Sequence, residues 1–355
     1  MSGPHARFVV GFDGTTVPEA LRAFCADGLP AGVVLFGRNI ESTAQVAALV
    51  RELRALWPAD GPPPLIAIDQ EGGAVQRLKA PQCPEFPHVP PAGELAGLGP
   101  VGLFELGREM AAQLAAVGVN VTFAPVLDVN TRPENPIIGT RAFGATADDV
   151  SRLALSFAAG LRVGGVTPCG KHFPGHGDTT LDSHVALPHV THDMARLEAV
   201  ELAPFRAAVA AGVPLLMTAH IVCEAIDGDA PATLSAVLVP ATLRRRLGFQ
   251  GAVITDDLEM GAIREHFDAH AVATGCLAAD VDLLLVCHDL VYARRLAGIL
   301  RRRQTPTQRD RAYARIARLR ENLQDHALTA SAAVPSGERI LALIAEVTGR
   351  TASVA

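Results

Sequence analysis

The chain has 355 residues and a formal net charge of −6, with 49% hydrophobic and 19% charged residues, an ordinary balance for a globular protein. This charge provides no positive field to attract nucleic acid, and no apolar run is long enough to span a bilayer. The first residues lack the parts of a secretory signal, and the six cysteines form no Cys-x-x-Cys pair. We therefore expect a cytoplasmic protein with reduced, buried thiols that binds neither nucleic acid nor membrane.

Eight short apolar runs recur along the chain, and many are rich in Val, Ile and Leu without polar alternation, as in strands buried on both faces. The runs are Phe8–Phe12, Gly32–Phe36, Leu65–Asp69, Val119–Val126, Gly165–Cys169, Val213–Met217, Ala252–Thr255 and Val281–Cys287. The stretches between them have helical spacing, and Ser42 is expected to cap a helix over Thr43–Trp57. Likewise, a helix over Val101–Val117 should end at Gly118.

Eight strand–helix units predict an α/β protein, a (β/α)8 TIM-type barrel in a single domain, for which about 250 residues is typical. The alternative is an open doubly wound sheet, which would need a Gly-rich turn after its first strand. The residues at that place, Gly11–Thr15, do not form the G-x-G-x-x-G pattern. The sequence therefore favours the barrel.

Two further helical stretches, Thr307–Leu323 and Ser336–Val347, follow the barrel. We expect residues 1–303 to form the barrel and residues 304–355 to form C-terminal helices packed on it. The first of these helices carries five arginines, at positions 309, 311, 315, 318 and 320. Because the net charge is negative, we interpret them as a solvated helix face outside the barrel. A monomer is favoured over an oligomer.

Polar clusters follow most of the predicted strands. They are Arg38-Asn39, Asp69–Gly73, Asp128–Asn130, Lys171–Asp178, Thr218–His220 and Asp256-Asp257, after the second to seventh strands in turn. If the barrel closes, these clusters converge on one face, where the active sites of such barrels lie. The placement of charge at the same end of successive runs supports the barrel independently of the apolar pattern.

The fifth cluster is the densest, because a lysine, three histidines and two aspartates fall within residues 171–184. Pro174, Gly175 and Gly177 break the local backbone, so we expect an irregular loop there and neither a helix nor an interior strand. So many ionisable groups on a loop indicate binding or catalysis.

A metal site is one interpretation of this cluster. Its ligands would be His172, His176, His184, Asp178 and Asp182. However, the chain has no His-Glu-x-x-His pair, and the neighbouring Lys171 would repel a cation. We therefore expect no metal and no cofactor. A metal-dependent hydrolase stays as an alternative that loss of activity with a chelator would identify.

Three features carry chemistry on their own. Asp256 ends the seventh strand, where a carboxylate can act as a nucleophile, although it could also cap a helix over Leu258–Ile263. Asp182 beside His184 would orient the imidazole and stabilise its protonated form, which makes a proton donor near neutral pH, unless the two are a surface pair. The third feature is a set of charged side chains suited to a hydroxyl-rich ligand. Its members are Asp69, Arg77, Arg141, Lys171 and His172.

Together these motifs resemble glycoside hydrolase family 3, in particular its single-domain bacterial β-N-acetylglucosaminidases. The motifs are Asp69–Gly73, Asn135–Gly144, Lys171–Gly177 with Asp182-Ser183-His184, Met217–His220 and Ile254–Leu258. The resemblance covers about residues 7–300. It departs from the family pattern at Ala74, where relatives often have arginine, and we expect only a peripheral effect because Arg77 keeps the second arginine place.

The resemblance implies a role for each residue. Asp256 would be the nucleophile that forms a covalent glycosyl–enzyme, His184 the general acid/base and Asp182 its dyad partner. The set Asp69, Arg77, Arg141, Lys171 and His172 would bind the N-acetylglucosamine unit. Its expected substrates are N-acetylglucosamine-containing muropeptides, as in peptidoglycan recycling, or chitooligosaccharides. The glycines of the loop predict that it moves during the cycle.

Other functions remain open at this point. A neutral histidine base repels phosphate less than a carboxylate does, so an N-acetylglucosaminide phosphorylase is the nearest alternative. Stimulation by inorganic phosphate would distinguish it from a hydrolase. From a different class, a sugar-binding barrel without catalysis would bind without turnover, but it would have no need for Asp256, His184 and Asp182.

Overall fold

The computed structural model describes residues 3–180, 183, 187–228, 230–323 and 333–349. Eight strands form a closed barrel, and each pairs in parallel with the next barrel strand in sequence. They are Phe8–Val10, Gly32–Leu35, Leu65–Ile68, Val121–Thr122, Thr167–Phe173, Leu215–Thr218, Ala252–Asp257 and Leu283–Val286. The first and last strands close the barrel, with Phe8 opposite Leu284. The predicted TIM-type barrel is therefore confirmed, with a strand at each of the eight apolar runs.

The strands are apolar throughout because both of their faces are buried. Val9 and Val34 belong to a cluster inside the barrel, whereas their neighbours Phe8, Val10 and Val33 pack in the layer between strands and helices. This alternation follows from the period of two along a strand. A strand buried on both sides cannot alternate apolar and polar residues, which is why the apolar runs were easy to locate.

Helices follow the barrel strands and cover the outside of the barrel. The α-helices are Glu19–Asp27, Thr43–Arg54, Ala92–Leu95, Gly99–Ala116, Ala147–Val163, Met194–Ala199, Ala203–Ala210, Glu224–Asp227, Gly261–Arg264, Ala269–Ala278, Leu290–Arg303, Pro306–Glu321 and Glu338–Thr348. A π-helix spans Leu238–Arg246, and short 3-10 turns span Gly37–Asn39, Ala96–Leu98, Gly139–Arg141 and Ala232–Leu234. Two-residue and three-residue strands pair outside the barrel at Gln70–Gly72 with Val75–Gln76 and at His189–Val190 with Val222–Cys223.

The predicted cap of the second helix is present, because the Ser42 side chain accepts a hydrogen bond from the backbone N–H of Gln45. That helix spans Thr43–Arg54 and ends before the predicted Trp57. The indole N–H of Trp57 instead donates to the carbonyl of Pro30 at the amino end of the second strand.

The fifth strand extends further than the sequence predicted. It runs over Thr167–Phe173 and therefore includes Lys171 and His172, which were expected to lie in an irregular loop. That expectation was wrong because both side chains find carboxylate partners, Lys171 at Asp69 after the third strand and His172 at Asp128 after the fourth, so the polar residues do not interrupt the strand. The strand ends where Pro174 offers no backbone N–H for further pairing.

The helix Pro306–Glu321 closes the amino end of the barrel. Its Ile316 and Leu319 belong to the same apolar cluster as the barrel interior. The interpretation of its arginines as a solvated face was partly wrong, because Arg320 is only 2% exposed and donates to the carbonyl of Pro63. Arg315 pairs with Asp282, at the amino end of the eighth strand. These arginines therefore attach the helix to the barrel.

All six cysteines are free and buried, as expected for reduced thiols. Burial raises the pKa of the Cys169 thiol above its usual range. In the part of the chain that the structure describes, no helix is both long and apolar enough to cross a membrane.

Candidate active site

A buried set of charged side chains lies at the carboxyl ends of the third to fifth strands. The Lys171 ammonium is 2.9 Å from Asp69 Oδ1 and 2.6 Å from Glu71 Oε1. Arg141 donates to both oxygens of Glu71, from Nε at 2.9 Å and from Nη2 at 2.8 Å. Residues from separate parts of the chain thus form one continuous ion cluster, because the parallel strands end at the same face.

The charges in this cluster stabilise one another. Burial alone would raise the pKa of Glu71, but Lys171 and Arg141 hold it well below its usual range. Burial alone would lower the pKa of Lys171, and the carboxylates of Asp69 and Glu71 outweigh this and raise it. Glu71, Lys171 and Arg141 are therefore ionised near neutral pH, and they present fixed charges to whatever enters the barrel mouth.

Arg77 lies at the edge of the cluster. Its Nη2 is 3.5 Å from Asp69 Oδ2, and its guanidinium is 5.7 Å from the centre of the Phe36 ring. Within the described residues, its buried Nε–H has no hydrogen-bond acceptor. The Arg77 side chain is 30% exposed, more than any other member of the cluster, so its guanidinium can donate from its exposed side to a ligand hydroxyl.

The fourth and fifth strands are joined by a carboxylate–imidazole pair. Asp128 is fully buried, and its Oδ2 is 2.6 Å from His172 Nδ1. Its Oδ1 accepts the backbone N–H of His172 at 3.2 Å and that of His176 at 2.6 Å. Burial would raise the pKa of Asp128, but His172 and these hydrogen bonds hold it below its usual value. Asp128 thereby fixes the ring orientation of His172.

Asp256 ends the seventh strand and faces the same mouth. Burial opposes its ionisation, but the charges of His220, His172 and Lys171 and a hydrogen bond from the N–H of Asp257 hold its pKa below the usual value. The carboxylate is therefore ionised near neutral pH, as a nucleophile must be. It does not cap the helix that follows, which spans Gly261–Arg264 and has Met260 at its N-cap position.

His220 and Asp257 form the surroundings of this carboxylate. His220 Nε2 donates to the backbone carbonyl of Asp257 at 2.9 Å, and its Nδ1 is 2.8 Å from Thr233 Oγ1. Asp257 accepts the backbone N–H groups of Glu259 and Cys287. Burial and the neighbouring Glu259 and Asp256 raise the pKa of Asp257 to about 7. Neighbouring aspartates thus have opposite shifts, so that near neutral pH Asp256 carries the charge more fully.

The structure brings most of the predicted site residues to one face. Asp69, Arg77, Arg141 and Lys171 form one ion-paired cluster, and His172 and Asp256 lie beside it. The predicted acid/base pair, Asp182 and His184, lies outside the described residues, so their placement stays a prediction. The expected motion of their loop stays a prediction for the same reason.

Several residues of this face were given no catalytic or sugar-binding role from the sequence: Glu71, Asp128, His176 and His220. Glu71 and Asp128 both belong to polar clusters that follow apolar runs, and this position was the signal in the sequence that could have identified them. Among the described residues, no group of three His, Cys, Asp or Glu is arranged to hold a metal ion. The imidazole of His172 is instead bound to Asp128, and that of His176 to Thr179 and Ser183.

A cavity of about 530 Å³ lies at the opposite, amino end of the barrel. It is lined by Arg162, Val166, Pro214 and Phe249 and by Arg318 of the C-terminal helix. None of the residues with perturbed carboxylates or histidines described above lines it. The chemistry therefore places the candidate active site at the carboxyl end, away from this cavity.

The chain is similar to known glycoside hydrolases over most of its length. The family model for the glycosyl hydrolase family 3 N terminal domain matches residues 9–319. A beta-hexosaminidase of Alkalilimnicola ehrlichii is 38% identical over 287 residues, which are 79% of this chain and 80% of that relative. A beta-hexosaminidase of Methylococcus capsulatus is 40% identical over 271 residues, or 75% of this chain and 78% of the relative.

Solved structures give the same result. A glycoside hydrolase family 3 beta-N-acetylglucosaminidase from Paenibacillus sp. str. FPU-7 superimposes with a TM-score of 0.90 at 36% identity, covering 97% of this chain and 67% of that one. NagZ from Neisseria gonorrhoeae, solved in complex with N-trifluoroacetyl-D-glucosamine, has a TM-score of 0.81 at 30% identity and covers 99% and 98%. The chain therefore belongs to glycoside hydrolase family 3 and is a glycoside hydrolase.

Proposed function

We propose that this enzyme is a retaining β-N-acetylglucosaminidase that removes terminal, β-linked N-acetylglucosamine from peptidoglycan fragments. The observation that carries the proposal is the ionised Asp256 facing a cluster of fixed charges across the barrel mouth. A carboxylate nucleophile and a ring of directional hydrogen-bonding groups are what a glycosidase requires. The relatives named beta-hexosaminidase and the β-N-acetylglucosaminidase structures support the choice of sugar.

In the proposed first step, an Asp256 oxygen attacks the anomeric carbon of the sugar while the bond to the leaving oxygen breaks. His184, oriented by Asp182, gives its proton to that oxygen, so the aglycone departs as an alcohol. The product is a covalent glycosyl ester of Asp256. In the second step water attacks the same carbon, His184 takes the water proton, and the Asp256 carboxylate is released. The two displacements together retain the configuration at the anomeric carbon.

The sugar would be held by the charged set opposite Asp256. Asp69 can accept hydrogen bonds from sugar hydroxyls, and Arg77, Arg141 and Lys171 can donate to hydroxyl oxygens. His172 would add a hydrogen bond from an imidazole whose orientation Asp128 fixes. Since these groups are already ordered by their ion pairs, binding would cost little additional side-chain entropy.

A muropeptide substrate and a cytoplasmic location follow from the sequence resemblance and stay proposals. Comparing the enzyme's kcat/KM for a muropeptide disaccharide with that for N,N′-diacetylchitobiose would test the first. A clear preference for the chitooligosaccharide would contradict it.

The test of the proposed activity is release of nitrophenol from 4-nitrophenyl β-N-acetylglucosaminide, with and without inorganic phosphate. We expect the wild type to be active and Asp256→Ala to lose at least about 1,000-fold in kcat, because the nucleophile is gone. The control is Asp310→Ala, at an exposed ion pair with Arg309, which should retain full activity.

Other outcomes would contradict the proposal in different ways. Undiminished activity of Asp256→Ala would mean that this carboxylate is not the nucleophile. A rate that rises with phosphate and yields N-acetylglucosamine 1-phosphate would identify a phosphorylase. Binding of the sugar without turnover by the wild type would identify a sugar-binding barrel.

A further inference from the structure

We propose that Ser183 and His176 are positioning residues, which hold the segment carrying the acid/base pair next to the strand that carries the nucleophile. Ser183 lies between Asp182 and His184 in the sequence and is only 2% exposed. Its Oγ is 3.1 Å from His176 Nε2. The inference rests on the proposed function, because it gives these two residues a task only if Asp182 and His184 transfer the proton.

Ser183 is held from a second side as well. Its backbone carbonyl accepts the N–H of Ala262 at 3.2 Å. Ala262 belongs to the helix Gly261–Arg264, which follows directly after the strand that ends with Asp256-Asp257. One contact of Ser183 therefore leads to the fifth strand and the other to the seventh. Ser183 is the sequence neighbour of both Asp182 and His184, so we infer that its two contacts bear on their placement relative to the nucleophile.

His176 is itself immobilised. It is 1% exposed, and its backbone N–H donates to Asp128 Oδ1 at 2.6 Å. The other oxygen of Asp128 binds His172, which belongs to the proposed sugar-binding set. His176 Nδ1 is 2.7 Å from Thr179 Oγ1. Ser183 is thus anchored, through His176 and Asp128, to the residues that would hold the sugar.

The hydrogen bonds that link Ser183, His176 and Thr179 allow one assignment of donors and acceptors. Burial, with His172 nearby, lowers the pKa of His176 to about 4, so its ring is neutral near neutral pH and has one donor and one acceptor nitrogen. The Thr179 hydroxyl donates to the His176 carbonyl at 3.1 Å. Since its single proton is used there, His176 Nδ1 donates to Thr179, and Nε2 accepts the proton of Ser183. Asn135 donates a further hydrogen bond to Thr179 Oγ1 at 3.3 Å.

Position matters because proton transfer requires the acid within hydrogen-bond reach of the leaving oxygen. A displacement of about 1 Å can cost on the order of 100-fold in rate. A loss of this kind depends on the leaving group. An aglycone that is stable as an anion departs without a proton, whereas a sugar hydroxyl does not. A residue that only stabilises the fold would affect both classes of substrate equally.

The experiment measures kcat/KM, which reports the first chemical step, for two substrates. These are 2,4-dinitrophenyl β-N-acetylglucosaminide, whose phenolate leaves unaided, and N,N′-diacetylchitobiose, whose leaving sugar needs the proton. For Ser183→Ala we expect a fall of about 100-fold with the chitobiose and less than about threefold with the dinitrophenyl substrate. Ser156→Ala is the control, at a half-buried helix position where the hydroxyl donates to the carbonyl of Arg152 in the same helix, and it should match the wild type with both.

A matched pair at position 176 makes the test independent of Ser183. The amide of His176→Gln can reach the position of Nε2 and accept the Ser183 proton, whereas that of His176→Asn reaches only the position of Nδ1. We therefore expect His176→Asn to behave like Ser183→Ala and His176→Gln to retain most of the activity with the chitobiose. Circular dichroism and thermal unfolding would establish that each variant is folded.

Equal losses with both substrates, or no loss with either, would overturn the positioning role and leave the proposed function standing. Equal behaviour of the two position-176 variants would overturn it too. Failure of the proposed function itself has a different signature, because the wild type would then hydrolyse neither substrate, and the inference would fail with it.

Discussion

Ion clusters lie at both ends of this barrel, and they differ in how far their arginine side chains are exposed. At the amino end, the fully buried Asp282 accepts hydrogen bonds from Arg244, from Arg315 and from the backbone N–H of Val253. Arg315 also pairs with Asp280. The Asp282 carboxylate is satisfied by these groups, although the buried Nε–H of Arg244 has no acceptor among the described residues. The result is an ion-paired connection between the barrel and the helix Pro306–Glu321.

At the carboxyl end, one charged side chain is more exposed. Lys171 and Arg141 share the carboxylate of Glu71, but the Arg77 side chain is 30% exposed, whereas Arg244 is 9% and Arg315 17% exposed. A buried Nε–H without an acceptor among the described residues occurs in both clusters, at Arg77 and at Arg244. The comparison teaches that burial, charge and an unpaired donor do not distinguish a functional cluster from a structural one. A charged side chain that stays exposed at the carboxyl end of the barrel does.

After loss of the nucleophile, the largest effect on activity should follow from a change inside the ion cluster at the carboxyl end. Glu71→Gln keeps the shape of the side chain but leaves Arg141 and Lys171 with one fewer carboxylate. Truncating one member of a buried charge pair costs about 2–5 kcal/mol, so we expect kcat/KM for 4-nitrophenyl β-N-acetylglucosaminide to fall by about 100-fold. Glu52→Gln, at an exposed pair with Arg22, is the matched control and should leave kcat/KM unchanged. Similar values for the two variants would mean that Glu71 is only structural.

A change in the ion cluster at the amino end, around Asp282, should lower stability and leave activity almost unchanged. Asp282→Asn leaves Arg244 and Arg315 buried with a neutral partner, which we expect to lower the free energy of unfolding by about 3 kcal/mol. Below the unfolding temperature, kcat/KM of this variant should stay within about twofold of the wild type. Urea unfolding followed by circular dichroism and parallel kinetics would measure both. A variant that loses activity but not stability would remove the distinction between the two ends.

The pH dependence of stability tests the raised pKa of Asp257, the neighbour of Asp256. Because the pKa of Asp257 is raised from 3.8 to about 7, the folded state binds more protons than the unfolded state in that window, and this residue makes stability fall as pH rises. Asp257→Asn removes the titrating group but keeps an oxygen for the N–H groups of Glu259 and Cys287. Relative to that of the wild type, the free energy of unfolding of the variant should increase by up to about 1.4 kcal/mol for each unit that the pH rises between 3.8 and about 7. Parallel stability profiles in urea titrations at several pH values would show that Asp257 does not titrate there.

The barrel could be predicted from the sequence because its signals are local. Each strand is a short apolar run, and each run is followed by helical spacing. The end of the fifth strand could not be predicted, because Lys171 stays in the strand only through Asp69 and Glu71, about a hundred positions earlier in the sequence. From sequence alone, a polar residue at a strand end predicts a loop, because its distant partner is not known.

The site was predictable to the same extent. Asp69, Arg77, Arg141 and Lys171 were identified from their motifs, and the structure brings them together. Glu71 was quoted within a motif but given no role, since its function is to hold two cations from other parts of the chain. Pairing between distant residues, which a single sequence does not encode in any local pattern, is the part that the structure supplies.

The smallest predicted effect concerns the attachment of the C-terminal helix. Thr305 begins the helix Pro306–Glu321 with a capping box, in which its side chain accepts the N–H of Gln308 and the Gln308 side chain accepts the N–H of Thr305. Thr305→Ala removes one half of this arrangement and should cost about 1 kcal/mol. Thr305→Ser keeps the hydroxyl and is the control. If the helix is held mainly by the buried arginines and by Ile316 in the barrel interior, the loss should appear in urea unfolding while kcat/KM stays constant. A loss as large as that of Asp282→Asn would instead mean that the cap, and not the ion cluster, determines whether this helix stays on the barrel.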